Sequence, residues 1–384
     1  MKQFYPLSTF LTEYSEKNGG NTYRPVAIGR YGIRTRESIY SKELAKDYSK
    51  NKLIHKNTLT VGMGSVQIDI GVLTDDITYS VSPAYHTYKI AGVNAEYLRY
   101  CLECRNQDMF SRFVKRGSRQ GKTIDLKRWL TYEIPVYDEN RQQEIVDRLN
   151  QISELIEKRR EQLVQLSELV KSRFIELFGD PVSNSPKWDT GRLGDYMTTL
   201  TDFSANGSYA LLDSQVVMYD EPHYAIMVRT TDLETGDFKN GVKYIDQKAY
   251  ELLGKSKLFG GEMIMNKIGS AGKIYLMPHI ETPASLGRNA FMFRFDQRVN
   301  IVFLYALLTS EYGTAEIQQH VRGAVTKTIT KESTRSIRII VPPIELQEQF
   351  AAFVEQTDKS KLAVQKSLEE LEILKKSLMQ QYFG

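Results

Sequence analysis

The chain is poor in cysteine, in histidine and in long apolar runs, and each scarcity narrows what it can do. Its two cysteines, Cys101 and Cys104, make a single C-x-x-C. One such pair is half of a zinc site, and neither a second pair nor paired histidines accompany it. It also falls inside a helix-like run, so it reads as two small helix residues in a reducing compartment. The five histidines (His55, His86, His223, His279, His320) are scattered, with none at metal-ligand spacing. The longest apolar run, residues 301–308, is too short to span a bilayer. The opening Met1-Lys2-Gln3-Phe4-Tyr5-Pro6 lacks the apolar segment of a signal peptide. The expectation is a cytoplasmic protein with no metal and no cofactor of its own.

Catalytic motifs are also missing. Gly117-Ser118-Arg119-Gln120-Gly121-Lys122-Thr123 resembles a phosphate-binding loop, but that motif needs four residues between its glycines and this stretch has three. It reads instead as a flexible basic loop, either meeting phosphate oxygens or packing as plain surface. A base-modifying methyltransferase needs an Asn/Asp-Pro-Pro-aromatic motif. The nearest approach, Asp180-Pro181-Val182, sits at a helix stop. No catalytic residue is assigned.

Strong net charge is absent too, at +4 over 384 residues, but the distribution is uneven. Residues 1–140 carry 21 Lys+Arg against 15 Asp+Glu, whereas residues 186–345 balance at 18 and 18. Within the first segment, residues 99–128 hold nine basic and three acidic side chains. Such a local field favours a polyanion, and a solvated surface accounts for it almost as well.

What the chain does have is a duplication. Ile134-Pro135-Val136-Tyr137 leads into a long polar–apolar segment ending Phe178-Gly179. Val341-Pro342-Pro343-Ile344 leads into another ending Phe383-Gly384, and the offset is 205 to 207 positions. Gly64-Ser65 matches Gly269-Ser270 at 205. Ala84-Tyr85 matches Ala290-Phe291, Tyr97-Leu98 matches Phe303-Leu304, and Arg116-Gly117 matches Arg322-Gly323, each at 206. Residues 59–65 and 67–72 read as a strand, a glycine turn and a return strand, and 262–268 with 273–277 repeat that plan. Residues 85–90 read as a further strand and 94–114 as a helix.

From residue 141 apolar positions recur on alternating three- and four-residue steps: Ile145, Leu149, Ile152, Ile156, Leu163, Leu166, Val170 and Leu177, with Arg159 and Arg173 interrupting. Gly179-Asp180-Pro181 stops the pattern. Near residue 346 a second series begins: Phe350, Val354, Thr357, Val364, Leu368, Leu371, Leu374 and Leu378, with Lys361 as its polar exception. Both are coiled-coil seams. The expected fold is α+β: two pseudo-repeated mixed α/β domains (1–138 and 187–345) and two long helices (139–180 and 346–384). The helices pair as an antiparallel coiled coil, with an internal pseudo-two-fold.

The two Ile/Val-Pro leads, the helix after each, the Phe-Gly closures and the strand-turn stretches Val61-Gly62-Met63-Gly64-Ser65 and Asn266-Lys267-Ile268-Gly269-Ser270 resemble the specificity (S) subunits of type I restriction-modification enzymes. The likeness runs over essentially the whole chain. It implies that the globular domains are target-recognition domains, each reading one half of a bipartite, asymmetric site in double-stranded DNA. The helices would set the spacing and dock two methyltransferase (M) subunits, and restriction (R) subunits would join through these. S-adenosylmethionine, ATP and Mg are then expected in the partner subunits. The rival readings are a stand-alone methyltransferase or nuclease, and a coiled-coil scaffold with no DNA role.

Arg and Gln can bond bidentately to guanine and adenine edges. The DNA-facing candidates are therefore Arg30, Arg34, Arg36, Ser65, Gln67, Arg116, Ser118, Arg119, Gln120 and Lys122 in the first domain. In the second they are Lys267, Ser270, Lys273, Arg288, Asn289, Arg322 and Lys327.

Overall fold

A computed structural model describes residues 2–19, 23–30, 32–38, 47–117 and 121–384. The chain forms two compact units, residues 1–162 with 364–384, and residues 163–363. The two long helices, Glu139–Phe178 and Ile344–Phe383, are 40 residues each. Neither is a segment apart from the globular units: each helix begins in one unit and ends in the other.

Each unit is built on a four-stranded antiparallel sheet with the same strand order. In the first the order is Leu11–Tyr14, His86–Ile90, Thr58–Met63, Ile68–Leu73. In the second it is Met197–Asp202, Ala290–Phe295, Met263–Asn266, Ile274–Leu276. The central strands Thr58–Met63 and Met263–Asn266 are buried on both faces. That is why they lack the alternation of a half-exposed strand. A short strand precedes each long helix and pairs with the first strand of its unit: Glu133–Val136 with Gln3–Pro6, and Arg338–Val341 with Asp189–Arg192.

The helix expected over 94–114 is two helices, Ala95–Cys104 and Asn106–Phe113. Just past the break Asn106 is buried and pairs with strand backbone, its Oδ1 accepting from the Ile68 N–H (3.0 Å) and its Nδ2 donating to the Ile68 carbonyl (2.9 Å). In the second unit the same pair recurs as Ile301–Thr309 and Glu311–His320. The units differ in their additions. The second carries a further four-stranded sheet, Lys243–Ile245, Ala225–Val228, Ala284–Leu286, Lys257–Leu258, whose short strands gave no periodic signal. The first carries the hairpin Val26–Gly29/Gly32–Thr35 and the pair Lys52–Ile54/Tyr79–Val81.

A buried glutamine fixes the root of each long helix. The Asn94 N–H donates to Gln142 Oε1 (2.9 Å), and Gln142 Nε2 donates to the Tyr137 carbonyl (2.8 Å). At offsets of 205 and 206, the Asn300 N–H donates to Gln347 Oε1 (2.8 Å), and Gln347 Nε2 to the Pro342 carbonyl (2.7 Å). Asn94 and Asn300 each also cap the helix that follows them, accepting backbone N–H groups of its first turn.

The helix ends are fixed by aromatics. Phe383 is fully buried in the first unit, 5.2 Å from the Tyr97 ring. Phe178 is fully buried in the second, 4.7 Å from Phe303 and 5.6 Å from Phe350. Gly179 then stops its helix with φ +73°, its N–H returning to the Ile175 carbonyl (2.8 Å). Within each unit the helices run antiparallel, as Tyr137 with Tyr382 and Arg160 with Glu372 show in the first.

Along the seams Ile145, Leu149, Ile152, Ile156, Phe350, Thr357, Val364 and Leu368 are buried, while Leu163, Leu166, Val170, Leu177, Val354, Leu371 and Leu378 are half-buried. Leu374 departs from its expected place and is 46% exposed. A strict seam also missed Val146, Phe174 and Phe178. Near its ends each helix packs on a globular core, which takes a wider stripe than a coiled-coil partner does.

Phe383→Ala should cost roughly 3–5 kcal/mol in the first unit, and Phe178→Ala the same in the second. The two tryptophans report the units separately, Trp129 from the first core and Trp188 from beside Phe178. Fluorescence melting of each variant in a Trp129→Phe background and its converse should show one unit shifted and the other little moved.

Candidate nucleic-acid interface

The candidate residues sit mostly on turns and hairpins, and in both units a glycine-serine turn lies beside a basic hairpin. In the first unit the strand Thr58–Met63 turns through Gly64-Ser65 into Ile68–Leu73. A Cβ on Gly64 would lie 2.6 Å from both the Gln67 carbonyl and Asp69 Oδ1, so the turn accepts glycine alone. The hairpin Val114–Gly117/Gly121–Ile124 sets Arg116 opposite Lys122 and Gly117 opposite Gly121. This is not the strand-to-helix geometry of a phosphate-binding loop. Lys122 Nζ donates to the Ser65 carbonyl (2.5 Å) and lies over the Phe110 ring. Ser65 is exposed and Gln67 half-buried. Ser118, Arg119 and Gln120 lie outside the described residues.

Arg30, Arg34 and Arg36 belong to a different part of that unit, the hairpin Val26–Gly29/Gly32–Thr35 and the turn after it. The hairpin packs against Gly71, where an added Cβ would meet Ile33 at 2.7 Å and Ile28 at 3.0 Å. Arg30 and Arg34 are exposed. Arg36 is half-buried with its guanidinium over the Tyr48 ring (5.4 Å).

In the second unit backbone hydrogen bonds tie the candidates together. The Gly269 N–H donates to the Lys327 carbonyl (3.0 Å), Ile329 N–H to the Lys267 carbonyl (3.1 Å), and Lys267 N–H to the Asn289 carbonyl (2.9 Å). Arg322 and Thr328 bridge to close the loop between them, and Val325 at its tip is 98% exposed. Gly323 turns with φ +102°. Ser270, Asn289, Arg322 and Lys327 are exposed around this cluster. Lys273 lies on the return side, paired with Glu234 (2.9 Å), which also accepts from the Tyr275 hydroxyl (3.2 Å). These two donors hold the Glu234 carboxyl below its ordinary value. Arg288 pairs with Asp213 (3.1 Å) and lies over the Phe203 ring (4.9 Å).

Lys267 does not face outward as expected. Its side chain is 14% exposed and its ammonium meets Asp202 at 2.7 Å. Lys331, which the sequence did not single out, meets the other Asp202 oxygen at 2.7 Å. Both ammonium groups lie over the Phe291 ring. Burial pushes the Asp202 carboxyl up, but hydrogen bonds from the two lysines outweigh it and hold the group below its ordinary value. No fixed spacing joins positions 202, 267 and 331, so this triad had no sequence signal. It anchors the turn from beneath and leaves one net positive charge there.

The sequence pattern of the type I restriction modification DNA specificity domain matches residues 8–166 and again residues 188–373. The chain belongs to that family. It is a DNA specificity subunit of a type I restriction-modification system. Among solved structures it is similar to the S subunit of a type-I restriction-modification system from M. genitalium, with 14% identity over 100% of this chain and 96% of that one, and a TM-score of 0.58. A chain from a structural study of complex assembly and conformational transition of the type I R-M system is 14% identical over 99% and 97%, at a TM-score of 0.51. The HsdS subunit from Thermoanaerobacter tengcongensis is 16% identical over 100% and 96%, at 0.43. At 14% identity the likeness to the first two is one of fold. Comparison with curated proteins found no match. Among the described residues of the specificity subunit, no cluster of His, Cys, Asp and Glu could hold a metal, and no helix is long and apolar enough to cross a membrane.

The triad gives a pH prediction. The depressed Asp202 value contributes stability above the ordinary carboxylate pKa of about 4 and loses it as pH falls through the folded value. Asp202→Asn should therefore be less stable at pH 7, by about 1.5–3 kcal/mol, the worth of hydrogen bonds to a charged group. Urea titrations from pH 7 to pH 2 should show variant and native protein converging in acid. A gap constant with pH would contradict the ion-pair account.

Proposed function

We propose that each unit of the specificity subunit reads one half of a bipartite, asymmetric sequence in double-stranded DNA. The reading rests on one observation above others: each unit presents a glycine-serine turn tied to a basic hairpin, through Lys122 and Ser65 in one and Gly269 and Lys327 in the other. The side chains around these turns differ between the units, so the two half-sequences differ. The hairpin that carries Arg116 and Lys122, with Ser65 and Gln67, is the first reading edge; Ser118, Arg119 and Gln120 are assigned to it by sequence alone, and Arg30, Arg34 and Arg36 are a separate group of candidate contacts. Ser270, Asn289, Arg322 and Lys327 form the second, flanked by Lys273 and Arg288. Lys267 acts from beneath, by holding the turn.

The long helices set the separation of the half-sites and dock two methyltransferase subunits, through which restriction subunits join. The specificity subunit does no chemistry itself. S-adenosylmethionine, ATP and Mg bind to the partners, and the complex works in the cytoplasm.

Co-expression with methyltransferase subunits of the same system, followed by mapping of methylated host DNA, should return a two-part motif with an unread spacer. A single contiguous motif would refute the proposal. In the assembled complex Arg322→Ala should weaken binding by about 1–3 kcal/mol and relax base preference in one half-site only, with the other half-site read as before. Calorimetry on the isolated chain should show no heat of S-adenosylmethionine binding. Stoichiometric binding would move the protein to the enzyme class.

A further inference from the structure

We propose that Gln142 and Gln347 are positioning residues that let the specificity subunit discriminate target spacer length to one base pair. The inference rests on the two-part reading above. Both glutamines are buried, at 5% and 0% exposure. Both stand in the first turn of a 40-residue helix, and each joins three things. The side chain belongs to the helix, its Nε2 holds the strand-to-helix joint (Tyr137 or Pro342), and its Oε1 holds the N–H of the cap residue Asn94 or Asn300. The cap residue in turn opens the helix that covers the unit's sheet. Each glutamine thus ties the first turn of a long helix to the body of its own unit, next to the turns that the core itself holds through Ile145 and Leu149 or through Phe350.

Leverage makes that lock matter. A helix of 40 residues is about 60 Å long at 1.5 Å per residue. A tilt of about 5° at its root displaces its far end by about 5 Å, more than the ~3.4 Å rise of one base pair. Telling one spacer length from the next therefore needs each root held to within about 3°. A buried side chain bonded at both ends supplies such a hold, because swinging the helix would break its bonds to a half-buried N–H (Asn94 or Asn300) and to a carbonyl that is half-buried at Tyr137 and buried at Pro342. The reading edges lie on other turns of each unit, so loosening the root leaves base recognition in place.

The test uses the complex assembled with methyltransferase subunits, and duplexes carrying the mapped target with its native spacer or one base pair more or fewer. The readout is the ratio of methylation rates, native to altered spacer. Gln142→Met together with Gln347→Met removes both locks at nearly constant volume. That ratio should fall by about tenfold, the size of one lost net hydrogen bond, with base preferences in both half-sites unchanged. Amide exchange at Asn94 and Asn300 should quicken. Gln151→Met, an exposed position on the first long helix, should change neither. If the double variant does not fold, Gln347→Glu keeps the acceptor for Asn300 and loses the donor to Pro342, and it should give a partial fall. A ratio within about twofold of native, or altered base preferences with the ratio kept, overturns the inference even where melting temperature drops. A native complex with no two-part target overturns the functional reading itself. A two-part target with an unmoved ratio overturns the lock alone.

Discussion

A long amphipathic helix cannot bury its own apolar stripe, and the architecture follows from how this chain solves that problem twice. Each unit starts one helix and receives the end of the other. The received end delivers a phenylalanine into the core, Phe383 against Tyr97 and Phe178 against Phe303. Neither core is complete without an aromatic from a distant stretch of chain. Burial of one such ring is worth roughly 1.5–3 kcal/mol, a sizeable share of the margin by which a domain is stable. Folding of each unit is therefore coupled to docking of the helix end it receives.

The frame was legible because its physics is periodic. Seam positions such as Ile145, Leu149, Val364 and Leu368 announce themselves by spacing, and the Phe-Gly closures by recurrence. Where the reading missed, another interaction outweighed periodicity. The helical run over 94–114 breaks at Arg105, as its counterpart breaks at Ser310, so that the second helix of each pair sets out anew; spacing alone carries no mark of that turn. Leu374 follows the heptad yet stays exposed, because spacing records a register and says nothing of whether a partner covers each position. The second sheet of the second unit is made of strands of two to four residues, too short to show a period.

The interface was less legible, for a related reason. Charge and side-chain type nominate Lys267 and Lys273 equally. The structure separates them: one ammonium is turned inward against Asp202, while the other stays half in solvent against Glu234. A buried carboxylate with two lysines needs all three elements in place, and sequence shows such a triad only as unrelated positions. Conversely, the sequence marks Gly64 as a turn, and crowding by Gln67 and Asp69 supplies the reason.

Comparison of the two halves therefore sorts residues by role more sharply than residue type does. What recurs at an offset of 205 or 206 is the frame (the sheet order, the caps Asn94 and Asn300, the glutamines at the helix roots, the closing phenylalanines) and, of each candidate reading edge, the glycine-serine turn and one Arg-Gly step. What does not recur is carried on that frame: the arginine hairpin in one unit, the Asp202 triad and extra sheet in the other. Two copies bound to the same task would keep their working surfaces alike. These keep their supports alike and let the rest of their surfaces diverge, which is the pattern required if the two units recognise different half-sequences, as proposed above.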